Sequence, residues 1–104
     1  MAPDMKKMMQ QAQRMQAELA KAQEEIKDMT FEGSAGGGMV KAVALGDMSI
    51  QSISIDPEAI DPDDKELLED MVCAAVNEAL RGIADISASR INSVTGNIKI
   101  PGLM

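Results

Sequence analysis

Three groups of residues carry types and spacings that could do chemistry. The first is "EGSAGGGMVKA", residues 32–42, with glycines at 33, 36, 37 and 38 and a lysine at 41. Glycine-rich turns of this kind cradle phosphates when a strand leads in and a helix leads out. The order expected here is helix, short strand, loop, strand. Gly33 and Gly38 have a phosphate loop's separation, but Met39 and Val40 follow where Lys and Ser or Thr are required. Lys41 then falls inside a strand, and no G-x-G-x-x-G pattern occurs. The glycines therefore read as a hairpin connection that needs positive φ.

The second group is acidic. Residues 56–70 hold eight carboxylates and one lysine, a net −7 that equals the net charge of the whole chain. Asp56, Asp61, Asp63 and Asp64 lack the spacing and the glycine of a calcium loop. A plainer origin is a helix start: Asp61 as N-cap, Pro62 at the first helical position, then acids where the macrodipole favours them. Cys73 is the only cysteine and there is no histidine. A nucleophile would lack its base, and a transition metal its ligands. These residues predict no enzyme, no metal and no cofactor.

The third group is basic. Met5, Met8, Ala12, Met15, Leu19, Ala22, Ile26 and Met29 recur in steps of three and four, an unbroken heptad seam. With Met5 at position a, Lys7, Arg14 and Lys21 fall at c, and Lys6 and Lys27 at b. The expectation is one basic stripe beside the a/d seam, with Asp4, Glu18 and Glu25 at g and Glu24 at f lying away from it. Groups about 10.5 Å apart along a helix can track a phosphate backbone. A solvated helix face is the blander reading, and spacing alone leaves both open. Phe31 is the only aromatic residue, which disfavours base stacking on single strands, so that if nucleic acid is bound, duplex DNA held by its backbone is the better reading.

These groups need elements to position them. The predicted architecture is α+β in a single domain over 1–104. It has a helical arm over 5–28, an antiparallel three-stranded meander over 30–55, a helix over 61–91 and a flexible tail over 92–104. Asp4 caps the first helix, which at about 37 Å is too long for a small core to cover. Part of it must protrude or pair with a second chain, so Met8, Ala12, Met15, Leu19 and Ile26 are candidate seam residues. In the third strand Ile53 and Ile55 are expected on the core face with Gln51, and Ser52 and Ser54 opposite with Ile50. Leu68, Val72, Ala75, Ala79, Ile83 and Ile86 form the stripe of the last helix, and Gly82 permits close packing or a bend. The N-terminus has no apolar leader and no run is long enough to span a membrane, so a cytoplasmic protein is expected.

Four stretches together resemble the YbaB/EbfC family of nucleoid-associated DNA-binding proteins. They are "MKKMMQQAQRMQAELAKAQEEI", "FEGSAGGGMVKAVALGD", "SISIDPEAIDPDDKELLEDMVCAAVNEAL" and the Gly/Pro/Met tail. The resemblance covers roughly residues 5–104 and is most specific from Ser54 to Asn77. It implies a homodimer whose helical arms project like tweezers and hold duplex DNA in the nucleoid. By position it implies DNA contacts at Lys6, Lys7 and Arg14 on the first helix and at Arg81 and Arg90 on the last; the basic stripe adds Lys21. No membrane and no small-molecule substrate is expected. The alternative is a protein-interaction adaptor that uses the Met-rich helix without touching DNA.

Overall fold

In the computed structural model, residues 4–95 are described. The order is α1 (Met5–Lys27), β1 (Thr30–Ala35), β2 (Val40–Leu45), β3 (Ile50–Ile55), a 3-10 turn (Pro57–Ala59) and α2 (Lys65–Thr95). The sheet is an antiparallel meander in the order β1-β2-β3. The α+β architecture is as the residue patterns predict. The longest dimension is 77 Å, well beyond the roughly 46 Å that α2 alone spans at 1.5 Å per residue. The two helices therefore extend in part past one another.

α1 begins where the Asp4 carboxylate accepts from the Lys6 N–H at 3.1 Å, satisfying one of the free donors of the first turn. It ends at Asp28, and the chain turns into β1 with Met29 N–H donating to the Ile26 carbonyl. The glycine stretch is a turn: Gly36, Gly37 and Gly38 all have positive φ, at 62°, 68° and 94°. The turn joins β1, which ends at Ala35, to β2, which starts at Val40.

α2 covers one face of β1 and β2. Val40, Ala42 and Ala44 meet Ala75, Ala79 and Ile83, all fully buried. Most of these side chains are alanine, so the helix backbone lies close to the sheet. Gly33 makes that approach possible, because a Cβ there would run into the backbone of Ala75 and Ala79. Gly82 likewise receives the Phe31 ring, and a Cβ would collide with it. The glycine inside α2 is thus a packing requirement. Gly46, in the turn after β2, holds α1 in place: its N–H donates to the Met29 carbonyl, and its α-carbon lies against the Ile26 carbonyl.

The pattern in β3 needs correction. Val43 pairs with Ser52, but Ala44 pairs with Ile50, so Gln51 is an extra residue on the β3 side. The bulge changes the parity of the strand. Ile50, Ile53 and Ile55 all share the face of Ala44, Ala42 and Val40, and Ile50 is not on the serine face. That face is not covered at β3: Ile53 and Ile55 are 46% and 36% exposed.

The start of the last helix also differs. Asp61 does not cap it; its carboxylate accepts from the Asp63 N–H at 2.9 Å and closes a turn before the helix. Asp64 takes the cap role by accepting from the Leu67 N–H at 3.3 Å. Pro62 then lies in the preceding turn. The helix starts at Lys65 and continues to Thr95, so residues 92–95 of the predicted tail are helical; 96–104 lie outside the described residues. The buried stripe passes from Ile83 to Val94, leaving Ile86 exposed. Among the described residues no helix is long and apolar enough to cross a membrane.

Candidate nucleic-acid interface

Burial along α1 is graded. Ala22 and Ile26 are buried, Met15 and Leu19 are half-buried, and Met5, Met8 and Ala12 are exposed. The seam is one face throughout, but only its C-terminal half is covered. The N-terminal half is an uncovered arm.

At 100° per residue, positions b and c lie on the side of α1 opposite the a/d seam, and g lies between c and the seam. The basic residues are therefore on the arm's outer face and do not flank the seam. The acids at g are the ones beside it. Glu25, at g, is half-buried and accepts from Arg90 Nε at 2.9 Å and Nη2 at 2.6 Å. Arg90 also donates to the Ser93 hydroxyl at 3.3 Å. This pair ties the end of α1 to the last third of α2.

Among the described residues the other ion pairs are Lys27 with Glu24 and Lys41 with Glu32, both exposed. Lys6, Lys7, Arg14 and Lys21 are exposed and, among the described residues, have no carboxylate within 4 Å. An exposed cation with no local partner retains its full attraction for phosphate, screened only by salt.

Arg81 and Arg90 do not join this stripe. They are nine residues apart, which places them on opposite sides of α2. Arg90 faces α1 and is held by Glu25. Arg81 is on the outer face in an open groove of about 810 Å³ with Asp70, Glu78 and Asp85. The sequence reading missed both the groove and the Glu25–Arg90 pair. The acidic line along α2 is visible on a helical projection, but no local signal pairs residues 65 positions apart.

The sequence model of the YbaB/EbfC DNA-binding family matches residues 1–98. A nucleoid-associated protein of Pelotomaculum thermopropionicum is 52% identical over 103 residues, covering 99% of this chain and 98% of the relative. One of Caldanaerobacter subterraneus subsp. tengcongensis is 54% identical over 96 residues, covering 92% of this chain and 86% of the relative. The fold is similar to the crystal structure of an uncharacterized protein from Helicobacter pylori, with a TM-score of 0.67 at 22% identity, over 83% of this chain and 90% of the other. With the family model matched over nearly the whole chain and relatives about half identical over nearly their full length, this chain belongs to the YbaB/EbfC DNA-binding family.

Proposed function

We propose that this protein is a homodimeric, nucleoid-associated binder of duplex DNA in the cytoplasm, and that it clamps, bridges or compacts DNA with its α1 arms. The observation that carries the reading is the outer face of α1. Lys7, Arg14 and Lys21 stand there in a line with Lys6 to one side, exposed and without a carboxylate partner among the described residues. Phosphate contacts of this kind position a protein on DNA without reading base sequence. Arg81 and Arg90 are secondary: Arg81 sits among three acids, and Arg90 reaches a phosphate only by leaving Glu25.

The homodimer is supported by an inversion of burial. Alanines fill the core while Ile53, Ile55, Ile60 and Leu67 are 36–55% exposed. β3 is an edge strand with no charged residue in IQSISI, so no edge charge opposes pairing along residues 52–55, beyond the Gln51 bulge. A partner seated on the β3 side would cover these side chains and leave both arms free.

The test is duplex binding across a salt series with Lys7→Glu/Arg14→Glu. Each phosphate contact contributes about −0.9 to the slope of log affinity against log salt. A dimer that loses four contacts is expected to bind far more weakly, with a slope shallower by about 3 to 4 units. The loss should be similar on unrelated sequences. Wild-type affinity and slope in the variant would remove the arm from the proposal. Salt-insensitive binding to a protein, with no DNA binding, would favour the Met-seam adaptor.

A further inference from the structure

We infer that the acidic groove on the outer face of α2 is a docking site for the basic α1 arm of a second copy, in competition with DNA. The groove is lined by Asp70, Glu78 and Asp85 along its length, with Ala74 on its floor and Phe31 at its wall. Arg81 lies among the three carboxylates, so the lining carries three acidic side chains against one basic. Cys73, Ala74 and Asn77 are the smaller side chains between the charged ones.

Two features fit the arm to this groove. The first is charge register. Asp70, Glu78 and Asp85 are eight and seven residues apart, about 12 and 10.5 Å along the helix. Lys7, Arg14 and Lys21 are seven and seven apart, about 10.5 Å each. Glu78 and Asp85 thus repeat the seven-residue step of the basic line, and Asp70, about 80° round the helix from Glu78, widens the acidic surface beside them. The second is size. Between the basic residues the arm's outer face presents Gln10, Gln13, Ala17 and Ala20, with no bulky apolar side chain to hold the helices apart.

Geometry excludes the chain's own arm. α1 packs on the Arg90 side of α2, and the groove opens on the Arg81 side, half a turn away. The groove is also at the β1 edge of the sheet, where Phe31 sits, whereas the exposed isoleucines are at the β3 edge. Dimerisation across β3 would leave the groove open. Arm-to-groove contacts are heterologous, each copy offering one arm and one groove, so association runs beyond the dimer into closed rings or open chains.

The docking rests on the proposed arm face alone; its competition with DNA rests also on that face binding duplex. The experiment is sedimentation of the full chain at low salt over a concentration series, without and with short duplex DNA. Wild type is expected to associate beyond the dimer, and duplex to reverse it. Glu78→Lys/Asp85→Lys is expected to weaken the association about tenfold, with circular dichroism unchanged and DNA affinity equal or higher. Lys7→Glu/Arg14→Glu should lose the association as well. Mixing the two variants should restore it, because the reversed arm then meets the reversed groove. Wild type that stays at one dimer mass overturns the inference, as does association indifferent to the α2 reversal or a mixture that fails to re-form. Association rescued by mixing in a protein that does not bind duplex would instead overturn only the DNA reading.

Discussion

The two halves of α1 share one heptad seam and meet different fates. Ala22 and Ile26 are buried against the rest of the molecule, while Met5 and Met8, in the same row, are 74% and 57% exposed. Periodicity is equal in both halves, so periodicity defined a face without deciding whether anything covers it. Coverage depends on reach. Gly46 seats the end of α1 on the β2–β3 turn, and Arg90 pins Glu25 from α2. Beyond those anchors the arm is uncovered, and its outer face is exposed.

The anchored half should be far more sensitive to substitution than the free half. The largest effect is expected where a Cβ must enter a backbone contact. Gly46→Ala, opposite the Ile26 carbonyl, and Gly33→Ala, opposite Ala75 and Ala79 of α2, should each cost about 3 kcal/mol or leave the chain unfolded. Urea denaturation of the full chain gives the value, and a loss under about 1 kcal/mol would mean that the helices shift at little cost.

Ile26→Ala should cost about 2–4 kcal/mol, since it removes a buried side chain and leaves a cavity. Met8→Ala should stay within about 0.5 kcal/mol, as exposed positions do. Equal losses at the two positions would break the comparison by showing that the distal seam is covered in solution, most simply by a partner.

A similar contrast holds across the sheet. Ile53→Asp adds a charge to an uncovered apolar face, so it should shift the protein from dimer to monomer by light scattering. It should unfold the monomer far less than Ala42→Asp, which places an unpaired charge in the buried core. A dimer unaffected by Ile53→Asp would move the interface away from the β3 side.

The smallest effect concerns the caps before α2. Asp64→Ala should cost about 1 kcal/mol, because it accepts from the Leu67 N–H at the helix start. Asp61→Ala should cost less, since Asp61 closes only the preceding turn. DNA affinity measured below melting should not fall in either variant.

By itself the sequence determined the element types, the order of the meander and the role of the glycine stretch. Spacing of apolar residues, an Asp at the α1 start and three successive glycines are local signals, and backbone sterics act locally. It also determined that the cations of α1 occupy neighbouring heptad positions. Which way those positions face relative to α2 follows from helix geometry once the seam is packed. The tertiary structure alone decided the rest. The Gln51 bulge put three isoleucines on one face, because strand parity depends on pairing with β2 and not on alternation within β3. The helix start moved from Asp61 to Asp64, because both aspartates are good caps and only the path of the preceding turn chooses between them. Arg90 became a tie to Glu25 and Arg81 a member of an acidic groove, because a contact across 65 residues is fixed by how helices cross, which no local pattern encodes.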